Sequence, residues 1–503
     1  MKKTQINLIP TEPGKTPSYY CTWEAQNLGD PKERELDPVK FEGDQGARRA
    51  RNNLNDQFLF GDDGLALQYE KIRGDLYFVL DDGWDVAYDV HPDTQRHQFG
   101  SLLLNEERFP SCTGTPEERL SKMNERLKSF GWRGVGLWVA SQAQGEKEDN
   151  LLSTEQARAY WSQRLNWSKH AKIGYWKVDW GVYATSVEFR KMLTTLGKEI
   201  DPELLIEQCR CMHPINNNGD QFKDWETVAK ENLEIFSFSD VFRSYDVTSQ
   251  LSAATTIDRL SVLLQQQTTN GALGIINSED ELYIGTALGC SLGIMRKEID
   301  EHLKKGDEVI RAVRWQRLAP AFGAGITDTY ISDEIATDIW YFNPGDTWAS
   351  ELINHEITQS APIALTRGIP LPKFHDVTEK KPFVVAAKNP NGAVSIATLK
   401  RTSVGRIKTP LCHIELDVGD ISHPIGIFGY YNQLTLNFDC DISDKKFYAQ
   451  DLAGDAAWDI TELVTVDSYA LHIPGTVISE VGLSDAREND NSEPGLVLAI
   501  KNA

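Results

Sequence analysis

The sequence predicts a (β/α)8 barrel followed by a C-terminal antiparallel β-sandwich. Strand-like apolar runs alternate about eight times with helix-like segments over roughly the first 340 residues, which is typical of a parallel sheet covered by helices. These runs are continuously apolar, as expected for strands that are buried on both faces. After a proline-containing segment near residue 375, short alternating runs replace the helices and favour a sandwich. We therefore expect a catalytic barrel with a short N-terminal extension over 1–372 and a β-sandwich over 373–503.

The composition limits the classes of function. The chain has 503 residues, of which 40% are hydrophobic and 25% charged, as in a soluble globular protein of two or three domains. Its net charge of −22 argues against nucleic acid or an anionic membrane surface as a partner. The first eight residues are basic but have no apolar core, so we predict no signal peptide and no membrane span. A chain whose signal had been removed would look the same, so a cytoplasmic, periplasmic or secreted location stays open.

The seven cysteines show no CxxC motif and no clustering with histidine. This pattern predicts neither a disulfide framework nor a zinc site. Cys209 and Cys211 are two residues apart and favour packing or loop positions over metal ligation.

The first five barrel strands have clear signals. They are predicted over 18–24, 75–84, 134–140, 173–178 and 203–208. A cap at Thr115 followed by Pro116 predicts the helix before the third strand. The capping-box pattern from Ser153 to Gln156 predicts the next helix, to about Lys169. A further helix is predicted over 185–199.

The remaining elements complete the two predicted domains. Strands six, seven and eight are predicted over 235–242, 272–276 and 314–322. Helices are predicted over 250–267 and from the end of strand seven to about Met295. Sandwich strands are predicted over 393–399, 413–418, 434–438, 471–473 and 496–500, the first of them after an Asn-Pro-Asn-Gly turn.

Acidic residues follow six of the eight predicted barrel strands. They are Glu24, Asp81, Asp82, Asp179, Glu207, Asp246 and Asp280. Active sites of such barrels lie at the carboxyl ends of the strands, where these residues would meet. Helix capping would explain one or two of these acids, and a shared site explains the set.

Lys177 and Asp179 end the fourth predicted strand. Positions two apart in a strand point to the same side, so the ammonium and the carboxylate should share one face. A nearby cation keeps an aspartate ionised, as a carboxylate nucleophile requires. A salt bridge that caps the strand is the alternative interpretation.

A ring of acids, arginine and tryptophan at a barrel mouth suggests glycoside hydrolysis, which uses two carboxyl groups. We assign Asp179 as the nucleophile and Asp246 as the acid/base. Arg243, three residues before Asp246, would bind a sugar hydroxyl. The pair Asp81 and Asp82 would hold two sugar hydroxyls, with calcium ligation or a simple turn as alternatives.

Five tryptophans offer apolar platforms for a sugar ring. They are Trp23, Trp84, Trp138, Trp176 and Trp180. Core packing is the alternative for all five, and we favour it for Trp138 and Trp176.

These motifs resemble those of retaining α-galactosidases in glycoside hydrolase families 27 and 36. Leu80-Asp81-Asp82-Gly83-Trp84 is similar to the family motif after strand two, whose acids bind the 4- and 6-hydroxyls of galactose. Lys177-Val178-Asp179 is similar to the Lys-x-Asp motif after strand four, which implies Asp179 as nucleophile and Lys177 as a sugar ligand. Glu207 falls where the family has a pocket Glu, and Trp23 would be its strand-one Trp. Arg243 to Asp246 follows the Arg-x-x-x-Asp pattern with one residue fewer.

The resemblance implies exo action on an oligo- or polysaccharide with a terminal α-linked galactosyl-type sugar. Asp179 would form a covalent glycosyl intermediate while Asp246 protonates the leaving group, with no metal or organic cofactor. The two carboxyl groups should lie about 5–5.5 Å apart. Alternatives are the same machinery acting on α-N-acetylgalactosamine, β-L-arabinopyranose or a glucosyl unit, and an inactive carbohydrate-binding barrel. Oligomeric state, the natural polysaccharide and the role of the sandwich stay open.

Overall fold

Eight parallel strands follow one another around a barrel. They are Tyr19–Cys21, Tyr77–Leu80, Gly134–Val139, Tyr175–Val178, Leu205–Cys211, Val241–Ser244, Ile275–Asn277 and Gly293–Ile294. Each of the first six strands pairs in parallel with the strand that follows it, and the first also pairs with the eighth. A bridge from Asn277 to Ser291 joins the seventh strand to the segment before the eighth and closes the ring. The predicted barrel is therefore confirmed.

The structure is a computed structural model. It describes residues 2–28, 43–90, 98–147, 149–211, 225–244, 253–270, 274–299, 304–323, 327–341, 356–376, 380–403 and 406–502. The predicted acid/base, Asp246, lies outside the described residues.

Helices cover the outside of the barrel. The α-helices are Trp23–Leu28, Gly43–Asn53, Asp56–Phe60, Pro116–Ser129, Thr154–His170, Val187–Ile200, Trp225–Phe238, Ala253–Asn270, Leu282–Ala287 and Gly306–Trp315, with Gly475–Gly482 in the sandwich. Short 3-10 helices are Leu65–Leu67, Arg73–Asp75 and Thr461–Leu463. Both predicted capping residues, Thr115 and Ser153, accept a hydrogen bond from the backbone three residues on. No described helix combines the length and the apolar character that crossing a membrane requires.

Two predicted strands are wrong in position. The sixth strand was predicted over 235–242 but begins at Val241. Ile235 lies instead in the helix Trp225–Phe238, where its side chain is buried. The Ser239 hydroxyl donates to the Ile235 carbonyl, four residues earlier, and so satisfies a carbonyl in the last turn of this helix. Because the end of the helix and the strand after it are both apolar, they form one continuous apolar run in the sequence, which does not show where the helix ends.

The eighth strand was expected over 314–322 but is the two-residue Gly293–Ile294, within a segment predicted as helix. That helix covers only Leu282–Ala287, and Gly289 follows it with a φ of 67°. Of the predicted strand, residues 314 and 315 end the helix Gly306–Trp315, and 316–322 form turns and irregular backbone. A strand of two residues is too short to give a periodic signal.

The C-terminal half contains two larger sheets that form the sandwich. The nine-stranded sheet has the order Lys2–Lys3, Trp458–Asp459, Lys445–Asp451, Gly495–Asn502, Ile425–Phe428, Val394–Leu399, Phe383–Lys388, Ala364–Arg367 and Thr329–Ile331. The five-stranded sheet consists of Lys373–His375, His413–Gly419, Gln433–Phe438, Ala470–Pro474 and Thr465–Asp467. Most pairs are antiparallel, and three are parallel.

Two hairpins lie beside these sheets. They are Ile335–Tyr341 with Glu356–Pro362, and Arg401–Ser403 with Arg406–Lys408. Strands from both sides of residue 372 pair with one another in the nine-stranded sheet. The division into 1–372 and 373–503 therefore stays a prediction.

Candidate active site

Asp179 directly follows the fourth barrel strand, and its carboxylate is partly exposed, with 14% of the side chain accessible. The indole N–H of Trp138 donates to its Oδ2 at 3.2 Å. Arg243 places Nη2 3.6 Å from the same oxygen. One hydrogen-bond donor and one cation thus approach the same carboxylate oxygen, and neither belongs to the fourth strand.

Lys177 does not form the strand-capping salt bridge with Asp179 that was the alternative interpretation of this strand end. Its Nζ lies 2.5 Å from Oδ2 of Asp81, across the barrel mouth, and both side chains are almost fully buried. Burial alone would lower the pKa of Lys177, but the Asp81 carboxylate outweighs it and the pKa lies well above its ordinary value. The lysine is therefore a permanent cation whose direct partner is Asp81.

The Asp81 carboxylate is fully committed to protein donors. Besides Lys177, its Oδ2 accepts the Cys21 thiol at 2.9 Å, and its Oδ1 accepts the backbone N–H of Asp82 at 2.8 Å. Burial opposes ionisation, yet Lys177 and these hydrogen bonds hold the pKa of Asp81 below its ordinary value. Asp81 is thus a carboxylate at neutral pH and keeps Cys21 as a thiol, since burial and Asp81 raise the pKa of that cysteine well above its usual value.

Asp82 has a different environment from its neighbour. Its Oδ2 lies 2.7 Å from Nη2 of Arg51, which comes from the helix between the first and second strands. Its Oδ1 has no hydrogen-bond partner among the described residues. Burial raises the pKa of Asp82 in spite of Arg51, with the charges of Asp81 and Asp179 adding to the effect. Asp82, Asp81 and Asp179 therefore lie close enough to share one electrostatic environment.

An aromatic group lies beside this cluster. The rings of Trp138 and Trp180 are 5.3 Å apart, and Phe99 packs edge-on against Trp180 at 4.9 Å. The Arg51 guanidinium lies 4.9 Å from the Phe99 ring. Trp180 is half-buried, so it can offer part of its surface to a ligand.

The other predicted platform residues differ in burial. Trp84 is fully buried and donates its indole N–H to the Trp138 carbonyl at 2.9 Å. Trp176 is fully buried and donates to Ser168. Trp23 begins the helix after the first strand, is half-buried and packs against the apolar cluster inside the barrel.

Glu207 lies inside the barrel with no exposed surface. Its Oε1 accepts from Tyr19 Oη at 3.0 Å and from Cys209 Sγ at 3.3 Å. Its Oε2 accepts from Tyr175 Oη at 2.8 Å and from Asn277 Nδ2 at 2.6 Å. Both oxygens of this predicted sugar ligand are therefore engaged by the protein.

Arg243 connects two strand ends. Its guanidinium is fully buried, with Nη2 3.6 Å from Asp179 and Nη1 3.6 Å from Oε1 of Glu279. Burial would lower the pKa of Arg243, but Cys209, Glu279 and Asp179 raise it well above the ordinary value. Arg243, predicted as a ligand of a sugar hydroxyl, thus lies between the carboxylates of Asp179 and Glu279.

The backbone around Asp179 is fixed by residues that the sequence did not reveal. Arg190, from the following helix, donates to the carbonyls of Val178 and Asp179 at 3.1 and 3.0 Å. Ser141 donates to the Asp179 carbonyl at 2.9 Å. Gly181 has a φ of 154°, and a Cβ there would lie 2.8 Å from the Ser141 backbone. A side chain at position 181 would therefore push the Asp179 loop away from the third strand.

The described part of the chain brings together Asp81, Asp82, Lys177, Asp179 and Arg243. It contains no group of three or more His, Cys, Asp and Glu side chains that could hold a metal ion. The arrangement supplies a partly exposed carboxylate with fixed donors behind it, which suits attack on an electrophilic carbon or stabilisation of a cationic transition state.

Comparison with solved structures finds glycoside hydrolases among the similar chains. A candidate alpha-galactosidase from Bacteroides fragilis matches 97% of this chain and 80% of its own at 11% identity, with a TM-score of 0.42. A family 27 β-L-arabinopyranosidase from Geobacillus stearothermophilus, solved with arabinose, matches 96% and 97% at 10% identity, with a TM-score of 0.38. A candidate alpha-N-acetylgalactosaminidase from Bacillus halodurans matches 97% and 99% at 11% identity, with a TM-score of 0.41.

These values are too low to assign a family or an activity to this chain. No family model and no curated protein sequence matches it. The residues of the site therefore carry the functional conclusion.

Proposed function

We propose that this protein is a retaining, exo-acting glycoside hydrolase that releases a terminal α-galactosyl-type sugar. The observation that carries the proposal is the Asp179 carboxylate, partly exposed at the end of strand four and held by Trp138 and Arg243. A nucleophile needs this combination of access, charge and fixed orientation.

Asp179 attacks the anomeric carbon and forms a covalent glycosyl intermediate, while Asp246 protonates the leaving oxygen. Asp246 then deprotonates the water that releases the sugar with retained configuration. The Arg243 guanidinium and the Trp138 indole N–H hold the Asp179 carboxylate in place before attack. Of the predicted sugar ligands, Asp82 keeps one carboxylate oxygen without a partner among the described residues, and Trp23 is half-buried. Asp81, Lys177, Trp84, Glu207 and Arg243 are engaged by protein groups and would form the wall behind the sugar.

Asp82 is the sugar ligand that the surroundings favour most, because its Oδ1 has no partner among the described residues. An ionised Asp82 accepts a hydrogen bond from a hydroxyl group of the substrate. The competing substrates are N-acetylgalactosamine, arabinopyranose and glucose, because each of these sugars has hydroxyl groups that Asp81 and Asp82 would bind.

The test is a panel of p-nitrophenyl glycosides carrying α-galactose, α-N-acetylgalactosamine, β-L-arabinopyranose and α-glucose. We expect turnover of the α-galactoside, and a loss of at least about three orders of magnitude in kcat for Asp179→Asn. Exposed Asp63→Asn is the matched control and should keep wild-type rates.

A fluorinated galactosyl fluoride should trap the intermediate, and mass spectrometry should find the label on the peptide that contains Asp179. Activity that survives Asp179→Asn contradicts the mechanism. A folded wild type that turns over no glycoside of the panel but binds sugars supports the inactive carbohydrate-binding alternative.

A further inference from the structure

Glu279 and the candidate nucleophile contact different nitrogens of Arg243. Nη1 lies 3.6 Å from Oε1 of Glu279, and Nη2 lies 3.6 Å from Oδ2 of Asp179. Both distances are longer than a hydrogen bond but lie within ion-pair range. The guanidinium is therefore shared by two carboxylates and is closed on neither of them.

This sharing decides which oxygen of Asp179 is accessible. A guanidinium that faces a single carboxylate frequently forms two parallel hydrogen bonds with it, which occupy both oxygens. Here Arg243 and the Trp138 indole both approach Oδ2, so Oδ1 has no donor among the described residues. A carboxylate nucleophile attacks through an accessible oxygen, and Oδ1 is the oxygen that suits this step.

The backbone of Glu279 has an uncommon conformation. Its φ is 54°, in the left-handed region that residues other than glycine rarely adopt. Its N–H donates to Oδ1 of Asn277 at 2.7 Å, and its carbonyl accepts the Gly293 N–H at 3.3 Å. Such conformations persist where surrounding contacts fix them, and they cluster at functional sites. The turn thus has a fixed shape that directs the Glu279 side chain to Arg243.

Asn277 connects this turn to the inside of the barrel. It ends the seventh strand and has no exposed surface. Its side-chain amide donates to Oε2 of Glu207 at 2.6 Å, while its Oδ1 accepts from Glu279. Its backbone pairs with that of Arg243 in the sixth strand. The fifth, sixth and seventh strands therefore fix Glu279 relative to Arg243.

The charge of Arg243 makes its position sensitive to both carboxylates. Burial would lower the pKa of Arg243, but Cys209, Glu279 and Asp179 raise it well above the ordinary value. The guanidinium therefore stays charged and is attracted to each carboxylate. If Glu279 lost its charge, the attraction to Asp179 would no longer be opposed by this neighbour.

We propose that Glu279 is a positioning residue for the candidate nucleophile. It holds one nitrogen of the Arg243 guanidinium, so that the other nitrogen contacts a single oxygen of Asp179 and Oδ1 stays accessible to a sugar. The nearly buried Glu279 side chain acts through Arg243. This role rests on the proposed function, in which Asp179 attacks the anomeric carbon.

Crystal structures of the wild type and of Glu279→Gln test the geometry without turnover. Glutamine keeps the shape of the side chain but removes its charge. We expect Arg243 to move toward Asp179 and to contact both carboxylate oxygens at about 2.8 Å. A guanidinium that keeps its wild-type distance from Asp179 overturns the proposal.

Hydrolysis of p-nitrophenyl α-galactoside tests the effect on attack. We expect Glu279→Gln to lower kcat by roughly tenfold to a hundredfold and to keep KM within about threefold of the wild type. Labelling of Asp179 by a fluorinated galactosyl fluoride should slow by the same factor. Glu279→Asp keeps the charge on a shorter side chain and should recover part of the rate. If Glu279→Gln does not fold, a smaller loss of kcat in Glu279→Asp tests the same role.

A double-mutant cycle shows whether Glu279 acts through Arg243. Lysine has one nitrogen and no planar fork, so Arg243→Lys cannot bridge two carboxylates in this way. In the Arg243→Lys background, Glu279→Gln should change kcat by less than about threefold. Effects that multiply in the double variant would show an independent role for Glu279 and would contradict the proposal.

Asp75→Asn is the matched control for the loss of a buried carboxylate. Asp75 pairs with Arg317 at 2.7 Å and precedes the second strand, so it lies at the opposite end of the barrel from the candidate site. We expect a lower Tm and an unchanged kcat for this variant. Circular dichroism checks that each variant is folded under the conditions of the assay.

The outcomes separate this proposal from the proposed function. Hydrolysis by the wild type, with kcat and labelling rate unchanged in Glu279→Gln, rejects only the positioning role. A wild type that hydrolyses no glycoside, together with a guanidinium that closes on Asp179 in Glu279→Gln, rejects only the glycosidase.

Discussion

The Glu207 side chain accepts hydrogen bonds from four protein groups, two at each oxygen. Tyr19, Tyr175, Asn277 and Cys209 all donate to it inside the barrel. A carboxylate accepts at both oxygens, whereas an amide presents an N–H group at one of them. Whatever its role toward a sugar, Glu207 binds four barrel strands together.

We predict that Glu207→Gln lowers the free energy of unfolding by about 1–3 kcal/mol, because the new amide N–H faces hydroxyl or amide donors. Urea denaturation followed by circular dichroism measures this change. The exposed Glu203→Gln control should lie within about 0.5 kcal/mol of wild type. Equal stability of the two variants would show that the buried network tolerates the amide.

Asp85 makes stability depend on pH. Its Oδ2 accepts from Ser101 and from the Leu102 backbone at 3.2 Å each, while burial raises the pKa of this carboxyl to about 7. The folded protein thus holds a proton that the unfolded chain has already lost above its ordinary carboxyl pKa. This contribution is complete at acidic pH and disappears as the pH rises through about 7.

We predict that the free energy of unfolding of Asp85→Asn, relative to that of the wild type, increases from pH 5 to pH 8 by on the order of 2–3 kcal/mol. The asparagine keeps an acceptor for Ser101 and Leu102 and has no charge to bury. Urea unfolding at several pH values measures the difference. Exposed Asp62→Asn should track the wild type, and a pH-independent difference for Asp85→Asn would contradict the assignment.

Which residues meet at the strand ends was predictable, but how their side chains pair was not. The period of a strand predicts that Lys177 and Asp179 share a face, yet Lys177 reaches Asp81, on the second strand. Arg51 and Trp138 were missed as polar partners because they contact Asp82 and Asp179 from other elements of the chain. Spacing within one strand carries no information about the curvature that brings other strands into reach.

At the scale of elements, local signals predicted the helix starts well. Ser153 accepts from the Gln156 N–H and the Gln156 side chain accepts from the Ser153 N–H, as the capping-box pattern predicts. The sixth and eighth strands were misplaced because their boundaries depend on tertiary pairing. Gly293 packs against Tyr19, where a Cβ would lie 2.6 Å from the Tyr19 hydroxyl, and no local pattern shows that contact.

We predict that Ser153→Ala lowers the free energy of unfolding by about 1 kcal/mol, because the helix loses the acceptor for its Gln156 N–H. Thermal and urea unfolding measure the effect. Thr154→Ala, one position later and exposed, is the control and should change stability little. A similar loss in both variants would assign the effect to helix propensity instead of capping.

At the scale of the molecule, a buried ion pair connects barrel and sandwich. Arg311 on the helix Gly306–Trp315 binds Asp451 with Nε and Nη2 at 2.8 and 3.0 Å, and both side chains have no exposed surface. Burial would lower the pKa of Arg311, but Asp451 raises it above its ordinary value. Asp451 also accepts the backbone N–H groups of Ala453 and Asp485, so it orders the sandwich loops as well.

We predict that Asp451→Asn destabilises the protein by roughly 3–5 kcal/mol, because a buried guanidinium loses its counter-charge. Differential scanning calorimetry should show a lower Tm. The exposed pair of Lys147 and Asp149 gives the control, since Asp149→Asn should cost less than about 1 kcal/mol. A Tm equal to that of the control would mean that the junction contributes little to stability.

The predictable part of the whole molecule was its architecture. Alternating helices and apolar strands predict a barrel because that pattern has few solutions. The partners of the sandwich strands were not predictable. Lys2–Lys3 pairs with Trp458–Asp459, and nothing in two lysines indicates a partner more than 450 residues away.

The bridge that closes the barrel has a consequence for hydrogen exchange. Between the seventh and eighth strands the ring is held by the single bridge from Asn277 to Ser291 and by backbone bonds such as Ser291 N–H to the Ile276 carbonyl at 2.9 Å. The fourth strand, in contrast, pairs over four residues on each side. Local opening should therefore need the least free energy at this seam.

We expect the amides of Ser278 and Ser291 to exchange with deuterium faster than those of Trp176 and Val178. Mass spectrometry of peptic peptides measures this difference in exchange rate. Uniform protection around the ring would contradict this expectation. Because the seam includes the turn that bears Glu279 and Asp280, its opening would separate these acids from Arg243 and Arg296. The shortest strand of the barrel thereby sets how often the turn beside the candidate active site is transiently unfolded.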